Sequence, residues 1–296
     1  MTQVTFAAGV ALVCSIVAAP VWREPAGPPA QQPDRTIFFD DFTTRELDRS
    51  RWTPEVWGHT VNNEQQAYID APDVIEVVGG DAAAGAGGGA LAITAHYRAG
   101  FVAATTGRTF DFVSGRLITR GKFEFTYGTA AARMRLPAGA GLWPAFWLLG
   151  TGRWPDTGEI DVMENVGDPA WASVALHGPG YSGDTPLVNR FQFPGGQDAT
   201  LWHVYSVDWT RDAIQFRVDD AVIYRVSRAT VEKHGRWAYD NPKYLIANLA
   251  LGGNYPYALN RTDAPYRGLP AATVDAIKGG RARLLVDWVR VTARGE

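Results

Sequence analysis

The 296-residue sequence has one cysteine, Cys14, and it lies within the apolar N-terminal run VTFAAGVALVCSIVAA. A disulfide framework is therefore excluded, and the fold must be held by its core, with a bound metal as the available auxiliary. There is no cluster of lysine and arginine and the net charge is -3, which excludes nucleic acid as a partner. Helical windows are few and no internal repeat is present, which argues against bundles and solenoids. No apolar run is long enough to be a comfortable membrane span, and the N-terminal one falls a little short. That run ends in small residues before Pro20, so residues 1–19 are expected to be a secretory signal cleaved near Ala18 or Ala19, although its opening MTQ lacks the usual basic residue. Retention as an anchor is the alternative. The expected product is secreted, extracellular and free of the membrane once the signal is removed.

Hydrophobic residues make up 46% of the chain and charged residues 20%, the balance of a globular protein with a sizeable core. Residues 20–35, rich in proline, alanine and glutamine and without periodicity, are expected to be a disordered leader. Residues 36–296 then form a single domain. Short alternating or apolar runs follow one another between Gly, Pro, Asp and Asn: TIFFDDF, ALAITAHY, GKFEFTYG, AARMRLP, GLWPAFWLLG, EIDVME, SVALHG, HVYSVDWT, AIQFRVDD, VIYRVS, YLIANLAL and LLVDWVRVT. A dozen such segments predict an all-β sandwich. TVDAIKGG is the best helix candidate, and the Gly/Ala-rich stretch Gly79 to Gly89 reads as a flexible loop between strands.

Alternation sorts residues by face. In GLWPAFWLLG, Leu142, Phe146 and Leu148 share one face and Trp143, Ala145 and Trp147 the other. Two indoles beside an alanine on a solvent-side face make a stacking platform, unless the strand is buried on both sides. In SVALHG the same rule turns Val174 and Leu176 inward and Ser173, Ala175 and His177 outward.

The segment GEIDVMENVG holds three acids in six residues. On a flat strand Glu159 and Asp161 share a face and Glu164 points the other way. A β-bulge at Val162 and Met163 would let the pleat slip by one place, returning Glu164 to the face of the other two and leaving Ile160, Val162 and Met163 for the core. The outer Cα atoms would then stand about 13 Å apart at about 3.3 Å per residue, and side chains leaning inward could close the gap to the roughly 5 Å used by retaining glycoside hydrolysis. Clustered carboxylates repel and raise at least one pKa, as a general acid working near neutrality requires. A charged solvent face and a calcium site are the rival readings. The spacing alone does not say which glutamate is nucleophile and which is acid.

WPDTGEIDVMENVG, with GRLITRGKFEFTYG and LPAGAGLWPAFWLLG before it and HGPGYSG, YSVDWT, LIANLALGGNYP and VDWVRV after it, resembles glycoside hydrolase family 16, laminarinase-like branch. The match runs from about Thr36 to Thr292. The resemblance implies a concanavalin A-like β-sandwich jelly roll with a concave glycan-binding cleft, and a retaining endo-β-1,3-glucanase, with mixed β-1,3/1,4-glucan as a further substrate. Other family 16 hydrolases or transglycosylases, and a non-catalytic β-glucan-binding protein, are the alternatives. By position, Glu159 is similar to the family nucleophile, Glu164 to the acid/base and Asp161 to the assisting carboxylate. Trp143, Trp147 and Trp154 match positions that stack or wall sugars, and Asn62, Glu64, Arg116, His177 and Asn254 match positions that bind hydroxyls. A structural calcium is implied at Asp41, Gly89 and Asp287, with no cofactor required for the reaction. The expected partner is a β-glucan poly- or oligosaccharide, bound by a monomer. Two departures stand out: Tyr255 where many relatives carry tryptophan, and a longer Pro256 to Gly280 segment.

Overall fold

The computed structural model describes residues 34–293, so the expected signal and nearly all of the leader lie outside the described residues. Three sheets account for the architecture. The first has eight strands: β1 (Arg35–Asp40), β4 (Ile75–Val78), β5 (Ala90–Thr94), β9 (Gly128–Arg135), β14 (His203–Trp209), β15 (Ala213–Val218), β16 (Ala221–Ser227) and β18 (Arg283–Ala293). The second has seven: β2 (Thr53–Pro54), β8 (Arg116–Ile118), β10 (Leu142–Gly150), β11 (Glu159–Glu164), β12 (Trp171–His177), β13 (Leu187–Gln192) and β17 (Lys243–Leu251). A small third sheet joins β3 (Gln66–Tyr68), β6 (His96–Val102) and β7 (Thr109–Ser114). All pairings in the two large sheets are antiparallel. This is the predicted all-β sandwich.

The core lies between the two large sheets. Leu142, Phe146 and Leu148 of β10, Ile160 of β11, Val174 and Leu176 of β12 and Leu245 and Leu249 of β17 meet Met134, Tyr205, Val207, Trp209, Phe216 and Val286 from the opposite sheet in one buried cluster. Alternation therefore leaves the other face of the seven-stranded sheet for polar and aromatic side chains, and the acids of β11 stand there, two strands from β17.

The described residues also contain three short helices: α1 (Arg228–Val231), α2 (Asn254–Asn260) and α3 (Ala271–Lys278). Helix α3 covers the predicted TVDAIK segment, with Val274 and Ile277 buried at i, i+3 spacing, and Gly279 follows its last turn. Helix α1 is capped by the Ser227 hydroxyl, which accepts from the Thr230 amide at 3.1 Å. One expectation fails. GKFEFTYG alternates like a strand, yet the Lys122 and Phe123 amides donate to the Thr119 carbonyl in a turn, and Phe125 alone makes an isolated bridge, to Lys243. Its phenylalanines pack inward without a ladder, Phe123 against Phe38 and Phe125 against Trp209. Within the Gly79 to Gly89 stretch the structure shows a 3-10 turn over Gly80–Ala83.

Candidate active site

The bulge on β11 lies where the acids require it. On the β10 side Asp161 opposes Trp147 and Met163 opposes Phe146, leaving Val162 as the extra residue. On the β12 side Asp161 pairs with Ala175 and Glu164 with Ser173, so Val162 and Met163 together stand opposite Val174. Both bulged side chains are fully buried in the core, because the strand buries whatever the pleat turns inward. Glu159, Asp161 and Glu164 consequently share the outer face.

Each glutamate is held by an indole. Trp143 Nε1 donates to Glu164 Oε1 at 2.9 Å, and Trp154 Nε1 donates to Glu159 Oε2 at 3.0 Å. Trp154 is 45% exposed, an unusual state for so large an apolar ring and one suited to a ligand wall. His177, opposite Glu159 on β12, places Nε2 3.3 Å from Asp161 Oδ2 and 3.8 Å from Glu159 Oε1. These are close polar contacts rather than aligned hydrogen bonds, since Asp161 Oδ2 has no hydrogen-bond partner among the described residues. Ligating atoms of Glu159, Asp161 and His177 lie within 4.8 Å of one another, so these three could also hold a cation.

Burial acts on all three acids in the same direction. It pushes Glu159 up to about 8, reinforced by the charges of Asp161 and Glu164 and opposed by His177 and the Trp154 N–H. Asp161 is raised by burial and by Glu164, and Glu164 is raised by burial and by Glu64 while the Trp143 N–H and His177 pull it down. Three carboxyl groups in such a row cannot all ionise near neutrality. Burial and mutual repulsion thus favour the neutral form in each of the three.

The remaining expected residues divide. Trp147 sits on the same face, its Nε1 donating to Asn248 Oδ1 at 2.7 Å. Arg116 does not reach out as a free donor. Its Nε lies 2.7 Å from Glu55 Oε2, and its guanidinium packs 4.9 Å from the Trp147 ring centroid and 5.8 Å from that of Trp57, so it braces the indole platform. Glu64 accepts from Gln66 Nε2 at 2.9 Å and, at 3.5 Å, from the hydroxyl of Tyr68; burial raises its pKa and Arg116 opposes the rise. Asn62 and Asn254 make no hydrogen bond to Glu159, Asp161 or Glu164: the Asn254 amide donates to the Asn62 carbonyl, and Asn254 Oδ1 accepts from Asn63 and Arg267. They tie the rim loop to α2. Tyr255 stands edge-on to Trp143 with centroids 5.3 Å apart, its hydroxyl 3.4 Å from Ser173 Oγ. In the longer segment after it, Tyr266 bonds Asp111 at 2.8 Å and helps line a cavity of about 420 Å³ together with Glu64, Asn63 and Arg108. Sequence reasoning missed Glu55 and Asn248, because each lies far along the chain from the residue it supports, and Tyr68, whose hydroxyl accepts from Asn248 Nδ2 180 residues away as well as donating to Glu64.

The calcium expectation does not fit these residues. Asp287 Oδ2 is bound by the Arg133 guanidinium and Oδ1 accepts from the Gly87 amide at 2.8 Å. Asp41 turns onto Thr43, and the Gly89 backbone packs against the Phe42 carbonyl, where a Cβ would stand 2.1 Å from the oxygen. The one buried carboxylate of the trio is thus already neutralised by a protein cation, whereas a hard-cation shell needs uncommitted anionic oxygens.

The family model described as "Glycosyl hydrolases family 16" matches residues 77–266. The chain is 33% identical over 269 residues to a beta-glucanase of Rhodothermus marinus, covering 86% of this chain and 84% of that protein. It is 33% identical over 282 residues to glucan endo-1,3-beta-glucosidase A1 of Niallia circulans, covering 86% of this chain but spanning only 37% of that relative's length. Among solved structures, the endo-beta-1,3-glucanase of Pyrococcus furiosus superposes with a TM-score of 0.74 at 33% identity, covering 88% of this chain and 95% of that one. The chain belongs to glycoside hydrolase family 16.

Proposed function

We propose that this family 16 glycoside hydrolase is a retaining endo-β-glucanase acting on β-1,3-glucan, with mixed β-1,3/1,4-glucan as a secondary substrate. The observation that carries the reading is the placement of Glu159 and Glu164 on one face of a bulged strand, each held by an indole N–H. The relatives' activities supply the substrate class. A non-catalytic binding protein would not need two carboxyl groups so placed.

In the first step Glu159 attacks the anomeric carbon as the Glu164 proton passes to the departing glycosidic oxygen, so the bond to the leaving sugar breaks as the glycosyl ester forms. In the second, Glu164 takes a proton from water, the water oxygen displaces the Glu159 carboxylate, and both groups return to their starting states. Asp161 lies between them, and its charge raises Glu159, so the nucleophile is ionised only at higher pH than an ordinary glutamate. His177 favours the ionised forms of Glu159 and Glu164. Trp143, Trp147 and Trp154 offer flat apolar surface to pyranose faces, and Glu64 offers fixed oxygens to hydroxyls. The N-terminal run supports export, with a monomer acting outside the cell.

Incubation with laminarin, lichenan, xyloglucan and agarose, alongside Glu159→Gln and Glu164→Gln, tests this. Cleavage of laminarin first, with early product of retained anomeric configuration and both variants inactive, is the expected result. Inverted product or full activity in both variants overturns the mechanism.

A further inference from the structure

Lys243 has no role in the chemistry above, yet it is wholly buried at the start of β17. Alternation along KYLIANLAL puts it on the inward face with Leu245, opposite Gly150 of β10. An ammonium inside a core is costly unless its protons find acceptors. Four surround it: the carbonyl oxygens of Thr157, of Gly158 at 3.3 Å and of Ala238 at 3.4 Å, and Asn241 Oδ1 at 3.3 Å. The rings of Trp209 and Tyr239 lie 5.5 and 5.4 Å from Nζ. The charges that face it are the carboxylates of Glu159 and Asp240; burial draws the ammonium down to about 7 against them.

These acceptors matter because of where they lie. Thr157 and Gly158 are the two residues before Glu159. Ala238 and Asn241 belong to the segment whose Tyr239 hydroxyl donates to the His177 carbonyl at 3.0 Å. Gly158 turns there with φ of +70°, and a Cβ on it would stand 2.4 Å from the Ala238 oxygen, so the joint has no slack. One buried cation therefore joins the backbone that launches Glu159 to the segment that supports His177.

We propose that Lys243 is a positioning residue: by gathering the carbonyls of Thr157, Gly158 and Ala238 it fixes the backbone from which Glu159 projects and so the Glu159–Trp154 pairing. Its kinetic consequence rests on the role given to Glu159 above, but its geometric consequence does not. Lys243→Met keeps the stem and removes the ammonium. The expected kcat on laminarin falls about tenfold or more with KM nearly unchanged, as a small displacement of a reacting group does. The indole ¹⁵N–¹H resonance of Trp154, assigned by its loss in Trp154→Phe, moves as well. Lys243→Gln, which can still donate to two of the acceptors, recovers part of both readouts and serves alone where the methionine variant does not fold. A merely structural lysine would change the melting temperature only. Parental kcat and an unmoved Trp154 resonance in a folded variant overturn the proposal. A parent that cleaves no β-glucan defeats the proposed function instead, and the resonance still decides the role of Lys243.

Discussion

Deleting Val162 removes the extra residue of β11 and makes Asp161 and Met163 neighbours. The register on both sides then heals: Asp161 stays opposite Trp147 and Ala175, Met163 opposite Phe146 and Val174, and Glu164 opposite Ala145 and Ser173. All three acids keep the outer face, so the deletion costs packing rather than chemistry. Val162 is fully buried, and losing it forfeits about 1.5–3 kcal/mol of burial plus roughly 1 kcal/mol for an imperfectly closed void. For a domain of this size that lowers the melting temperature by about 5–16 °C, at roughly 2–4 °C per kcal/mol. The expected variant is folded, less stable, and active on laminarin within about a hundredfold of the parent. An alanine inserted between Met163 and Glu164 has the opposite outcome, turning Glu164 toward the core, and it should lose the roughly 10²–10⁴-fold contribution of a general acid. Thermal unfolding followed by reducing-sugar release reads both. A folded deletion variant as inactive as Glu164→Gln, or an insertion variant with parental kcat, would refute the claim that the bulge absorbs the extra residue Val162 and so leaves the three acids on one face.

Other perturbations act on charge. With Glu159 pushed up to about 8, the acidic limb of kcat/KM should lie well above the ordinary glutamate value of 4.5, because activity needs the ionised nucleophile and is lost as pH falls. Asp161→Asn removes a neighbouring negative charge and should move that limb to lower pH while reducing kcat; a limb that stays in place means Asp161 does not act on Glu159. Trp154→Phe removes a hydrogen bond that favours the ionised carboxylate and should move the limb the other way, with little change in melting temperature because the ring is exposed. On the opposite sheet, EDTA and added Ca²⁺ should leave the parent's melting temperature unchanged. Arg133→Met, which strips Asp287 of its cation, should lower it measurably, and a parent stabilised by Ca²⁺ would show that Arg133 yields the carboxylate to the metal.

What could be read along the chain was whatever depends on near neighbours. The period of two sorts Trp143 and Trp147 from Leu142 and Phe146, and the same period, broken once, marks the bulge and recovers all three acids. Pattern alone misled at GKFEFTYG, where apolar alternation served packing against Phe38 and Trp209 while the backbone turned instead of pairing. It passed over LVNRFQ, an edge strand half exposed along its length and so lacking a strong apolar signal.

The tertiary structure alone decided what depends on residues far apart in sequence. Arg116 could have bound a hydroxyl, but Glu55 lies beside it and Trp147 above it, so it supports the platform. Asp287 could have bound calcium, but β9 brings Arg133 across to it. Lys243 reads as a stray charge in an apolar strand until the fold closes four acceptors around its ammonium. Local pattern specifies which face a side chain takes, because the strand's geometry is periodic. It cannot specify what waits on that face, because a partner's charge and distance are set only when the sheets close on one another.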